Sequence, residues 1–221
     1  MHRDPKSNDR LRFHWSVACL HLGIMNDYQE ILDDIISKYS EPHREYHNAT
    51  HIAKMIHRLN YLNDFFPKLD LDDMYQLDMA TIFHDVIYDP QAKDNEEQSA
   101  EYAERALALL CVDQSFISNV VAYILCTKTH EVDPLMPYTA AMIDADLAVL
   151  SAEPLEYDAY AKAIRIEYGF VTDEAYRVGR LAVLKSFLER DSIYKVAEYR
   201  DEFEVIARDN IAREIAILGK P

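Results

Sequence analysis

Glycine is scarce, at 4 of 221 residues, and cysteine (3) and tryptophan (1) are scarcer still. So few glycines leave little provision for the left-handed turns of tight hairpins, which argues against architectures built from many short strands. Cys19, Cys111 and Cys126 are an odd set without metal-type spacing. They offer neither a disulfide framework nor a thiolate zinc site, and are expected to be buried thiols in a reducing cytoplasm. No apolar run approaches the roughly 18 residues of a membrane span, and the opening MHRDPKSNDR lacks the apolar stretch of a signal peptide, so a cytoplasmic location is expected. Positive charge is in deficit as well: 23 Lys and Arg stand against 39 Asp and Glu, a formal net charge of −16. Such a surface repels duplex nucleic acid and anionic membranes and suits a small-molecule substrate. Phosphate chemistry stays open to an acidic chain that holds a divalent cation.

What the sequence does have is 49% hydrophobic residues, and these recur at helical spacing far more often than they alternate. Helices are predicted over about 11–22, 27–39, 48–66 (stopped by Pro67), 71–87 (stopped by Asp89-Pro90), 95–111 and 114–129. Four more follow over about 139–151, 154–168, 172–190 and 196–218. The expectation is an all-α, single-domain helical bundle spanning 1–221, in which a core over about 46–150 carries the chemistry and helices over about 154–218 pack on it.

Three predicted helices bring His or Asp to an inward face. In Tyr46-His47-Asn48-Ala49-Thr50-His51, His51 borders the stripe formed by Ile52, Met55, Ile56, Leu59 and Leu62, and His47 lies one turn earlier on nearly the same side. One imidazole can bind metal while the other transfers a proton; the plainer reading is a helix start with a partly buried His. The stripe Met74, Leu77, Thr81 runs into His84, with Asp85 beside it. An ionised Asp at the inward end of a helix needs a cation, a hydrogen-bond donor or solvent, since burying it alone costs several kcal/mol. In the third helix, Ile143, Asp146, Leu147 and Leu150 define the buried face, so Asp146 is favoured as a ligand and Asp144 as a supporting or capping group.

A His, then an adjacent His-Asp, then a later Asp, each on its own helix, resembles the HD superfamily. The segments YHNATH, FHDVIYDP, DNEEQSA and IDADLAVL carry the likeness to its stand-alone bacterial members described as predicted metal-dependent phosphohydrolases. The resemblance implies an HD-type helical bundle with His51, His84, Asp85 and Asp146 as metal ligands. YHNATH is also similar to the YHNxxH opening of cyclic nucleotide phosphodiesterases, which makes His47 the candidate general acid. The set implied is a divalent transition metal (Mn, Fe, Co, Ni or Zn, with Mg admissible), one or two ions, and a small-molecule phosphoester substrate such as a nucleotide. Asp85 would both bind metal and orient the attacking water, whose pKa such an ion lowers from 15.7 toward about 7.

Four further residues have two readings each. Asp94 and Glu97 either open the next helix as a capping box or hydrogen-bond water or a second ion. Lys128 and His130 either complement a helix C-terminus or contact phosphate and a second metal, respectively. Arg165 and Arg180 are expected to be solvated or paired, and His14, His21, His43 and His57 to be structural or surface groups. Competing with hydrolysis are a catalytically silent, metal-stabilised binding or regulatory module and an HD-type di-iron oxygenase.

Overall fold

Helix starts are written into the chain as side chains that accept from the free amides of a first turn. In the computed structural model, which describes residues 4, 6–25, 28–136 and 138–220, Asn48 caps the helix Ala49–Leu62 by accepting from the Thr50 amide. Asp70 and Asp73 form a reciprocal capping box on the helix Leu71–Phe83. Pro154 occupies the first turn of the helix Pro154–Glu167, where its missing N–H costs nothing.

Ten α-helices result among the described residues: α1 (Ser7–His21), α2 (Tyr28–Tyr39), α3 (Ala49–Leu62), α4 (Leu71–Phe83), α5 (Asn95–Leu109), α6 (Gln114–Thr129), α7 (Thr139–Asp146), α8 (Pro154–Glu167), α9 (Asp173–Leu188) and α10 (Ala197–Leu218). Short 3-10 turns follow α3 (Asn63–Phe65) and α7 (Leu147–Ser151). The fold is all-α, with no strand among the described residues. No helix of those residues is long and apolar enough to cross a membrane.

Four helices form a closed ring, because α3 packs on α4 and α7, and α6 packs on the same two. These four helices contribute Ile52, Leu59, Leu77, Met79, Ile124 and Met142 to the core, all at most 1% exposed. Helices α1 and α5 pack on the outside of the ring, against α3 and α4 and against α4 and α6 respectively, while α10 lies on the 3-10 turn after α7.

The structure departs from the predicted elements at informative places. Helix α1 starts at Ser7 rather than near 11. Helix α4 ends at Phe83 instead of 87, with His84 as its C-cap. The buried guanidinium of Arg44 takes the carbonyls of Asp85 and Val86 and so satisfies that backbone outside a helix. The predicted helix over 139–151 tightens into a 3-10 turn after Asp146. His47 lies before the N-cap of α3 rather than on the helix. Cys111, expected to be buried, is exposed, because it occupies a left-handed turn (φ 57°) closing α5; Cys19 and Cys126 are buried.

Candidate metal centre

The ring brings four element ends together. His51 stands in the first turn of α3, His84 is the C-cap of α4, His130 the C-cap of α6, and Asp146 the last residue of α7. Three helix C-termini, each carrying partial negative charge, therefore converge with two carboxylates, an arrangement that favours a cation.

The separations are those of a ligand set. His51 Nε2 lies 3.2 Å from His84 Nε2 and 3.3 Å from an Asp146 oxygen. An Asp85 oxygen is 3.0 Å from His84 Nε2 and 3.7 Å from His51 Nε2. One ligand atom each from His51, His84 and Asp146 falls within 4.8 Å of the other two. An ion about 2.1 Å from each donor puts neighbouring donors about 3.0–3.4 Å apart, so the residues fit a metal. The His84 Nδ1–H donates to the Thr81 carbonyl at 2.9 Å, which leaves the Nε2 lone pair for the centre. Fold and cluster together define an all-helical protein in which His51, His84 and Asp146 each bring a possible ligand atom within reach of one metal ion.

Electrostatics point the same way. Burial works to raise Asp85, but the adjacent His84 outweighs it and holds this carboxyl far below the usual range. Asp146 is likewise held low against burial, by hydrogen bonds from His130 and His51. Burial opposes a charge on His84, yet Asp85 and then Asp146 lift it to about 9. Without an ion, a proton on His84 balances the carboxylates; a divalent cation displaces it.

Beside the cluster, His47 is built into a hydrogen-bonded cradle. Its Nδ1–H donates to Glu167 Oε2 at 2.6 Å, and its ring stacks on Tyr88 with centroids 4.2 Å apart. Glu167, its side chain fully enclosed, also accepts from the Tyr88 hydroxyl and from the amides of Tyr46 and His47. Burial would lower His47, but Glu167 raises it above the ordinary imidazole value. Burial would raise Glu167, but His47 and the two amides bring it down to about 2. The ring centroids of His47 and His51 are 6.1 Å apart, so the predicted proximity of these two holds although His47 is off the helix. Side-chain exposures of 16–21% at His47, Asp85, Asp146 and His130 leave this end of the ring accessible.

The remaining expected residues divide. His130 Nε2 lies 3.4 Å from Asp146 Oδ2, while Oδ1 faces the two other imidazoles, so Asp146 spans both sides. Lys128 binds Glu97 Oε1 and the Lys93 carbonyl; Glu97 Oε2 is enclosed without a partner. Asp94 sits at the N-cap position of α5 but makes no capping bond, so the expected capping box is absent. Asp144 is fully buried and accepts from the amides of Lys195 and Val196 at 2.7–3.0 Å, tying α7 to the start of α10; burial pushes it up to about 7 against those bonds. Arg180 forms a buried pair with Glu214, and Arg165 pairs with Asp173.

Sequence reasoning missed Glu167, Tyr88 and Arg44. Glu167 did leave a signal: it continues the buried stripe Tyr157, Tyr160 and Ile164 of α8 and stands in the last turn, where the helix dipole disfavours a carboxylate. No protein-family model, curated protein or solved structure matches this chain.

Proposed function

We propose that this chain is a metal-dependent phosphohydrolase of HD type, acting on a small-molecule phosphoester, with His51, His84, Asp85 and Asp146 as ligands of a divalent transition metal. The observation that carries the reading is the His47–Glu167 contact at 2.6 Å beside an accessible ligand cluster. A purely structural metal site is closed and has no use for an imidazole at its edge whose protonated form a buried carboxylate favours. When bound, the ion supplies Lewis acidity toward phosphoryl oxygen and lowers the pKa of water.

The chain's own residues do the rest. Glu167 holds the Nδ1 proton of His47 and favours the imidazolium, leaving Nε2–H to donate to the departing oxygen. Tyr88 fixes the ring plane by stacking, and Arg44 ties the His47 carbonyl to that of Asp85, locking the donor to the ligand turn. Lys128, two residues before His130 in the chain and paired with Glu97, is the candidate cation for phosphate, and Glu97 Oε2, which lacks a partner, the candidate acceptor for water.

The Asp146 geometry favours a two-ion version, in which Oδ2 and His130 hold a second ion. That version also keeps a di-iron oxygenase as the second reading. Apo protein reconstituted separately with Mn, Fe, Co, Ni, Zn and Mg, then offered nucleotides, cyclic nucleotides and a generic phosphodiester, tests the proposal. Metal-dependent phosphoester hydrolysis, read as phosphate from monoesters and as the monoester product from diesters, is expected and should disappear in Asp85→Ala. Metal-dependent consumption of dioxygen without ester hydrolysis would favour the oxygenase, and tight metal binding without either reaction a silent module.

A further inference from the structure

A cavity of about 390 Å³ opens along α3, with the metal-centre residues His51 and Asp146 in its wall together with Arg10, His57, Arg58 and Phe203. Ala53, Arg10 and His57 are shared with an adjoining cavity of about 430 Å³ between α1 and α3, whose other lining residues are His14, Ile56 and Asn60. In a chain of net charge −16, this second cavity has no carboxylate among the described residues of its lining. Of its polar residues, Arg10, His57 and Asn60 carry N–H donors, while His14 Nδ1 is engaged by Asp78 at 3.0 Å.

Arg58 is the preorganised member of the group. It has no ion pair among the described residues, and its guanidinium is held over the rings of Phe203, Tyr199 and Tyr61 at 5.2–5.9 Å. Stacking of that kind fixes the plane of the guanidinium and leaves its edge for a bidentate acceptor. Arg10 meets Asp4 only at 3.5 Å in an exposed pair, which an incoming anion displaces at little cost. The first cavity is also lined by Glu153 and Glu156, the latter bonded by Lys54.

We infer that Arg58, Arg10 and His57 form a binding site for a phosphate group, separate from the metal centre but continuous with it through the α3 cavity. Arg58 follows His51 by seven residues, about 10 Å along the helix axis, so the bound phosphate lies roughly two turns from the cluster. Its source is either a second phosphate of the substrate or an independent phosphate-bearing effector. The site does not depend on the hydrolase reading, since it needs neither metal nor turnover.

Titration calorimetry of inorganic pyrophosphate into the full chain, dialysed against EDTA at low salt, tests the site apart from any activity. Saturable binding is expected, weakened at least tenfold in Arg58→Met and in Arg10→Met, the latter an exposed position that leaves the aromatic packing untouched. His84→Ala, a change within the cluster and outside both cavities, is expected to bind as wild type. Equal binding by wild type and both arginine variants overturns the inference, as does binding that disappears only in His84→Ala. In turnover assays the sources separate: a substrate phosphate makes Arg58→Met raise KM only for doubly phosphorylated substrates. An effector makes pyrophosphate change the rate on a singly phosphorylated substrate, and Arg58→Met abolishes that response.

Discussion

Replacing Glu167 with Gln alters one oxygen in an enclosed side chain that accepts four hydrogen bonds, from the amides of Tyr46 and His47, the His47 ring and the Tyr88 hydroxyl. The amide nitrogen of Gln then faces donors it cannot accept from, and His47 loses the charge that most raises its pKa. Glu167 is lowered from 4.5 to about 2 in the folded chain. At about 1.4 kcal/mol per pH unit, the ionised side chain contributes about 3 kcal/mol at neutral pH. A domain of this size loses about 2–4 °C per kcal/mol, so calorimetry is expected to show a fall of about 6–12 °C. Because the folded value is depressed, the contribution is present above pH 4.5 and fades as pH drops toward 2, where the two proteins converge. Turnover is expected to drop about 10²–10⁴-fold, the range of general acid catalysis, with bound metal unchanged. In an NMR titration the His47 pKa is expected to fall in the variant, since burial is then opposed only by Asp85 and Asp146. A shift under 1 °C, or metal lost in parallel with the rate, refutes the reasoning.

Asp85→Ala is expected to lose metal binding while retaining its helical circular dichroism, so adding metal at a hundredfold excess over the wild-type Kd stabilises wild type by about 2.7 kcal/mol and the variant hardly at all. Metal affinity is expected to tighten as pH rises and to level off near pH 9, because His84, raised to about 9, must release its proton; calorimetry in buffers of different ionisation enthalpy counts that proton. The same raised value stabilises the metal-free fold below pH 6.5, an effect lost as pH climbs through about 9. Asp144→Ala is expected to cost about 2–4 kcal/mol in denaturant unfolding, through the stranded Lys195 and Val196 amides, without changing metal affinity.

Much of the fold was legible because its signals are local. Asn48, Asp70 and Pro154 mark helix starts within a few residues of where the starts fall. The inward placement of His51, His84 and Asp146 followed from the 3.6-residue spacing of their apolar neighbours. Non-local contacts hid the rest. The carbonyls that end α4 are taken by Arg44, some 41 residues earlier in the chain. Glu167 reaches His47 across 120 residues, and only the apolar stripe leading to it hinted at an inward role. At Asp94 one of the two local readings fails: it makes no capping bond, and Glu97, the other member of that capping box, pairs with Lys128 on α6.

The measurement that tests the central claim most directly is a titration of apo protein with Mn or Zn in which bound metal and phosphodiester turnover are read from the same samples. The account predicts turnover that rises with occupancy to a plateau at one or two ions per chain and is absent throughout in Asp85→Ala. Turnover indifferent to bound metal, or retained in Asp85→Ala, would contradict it.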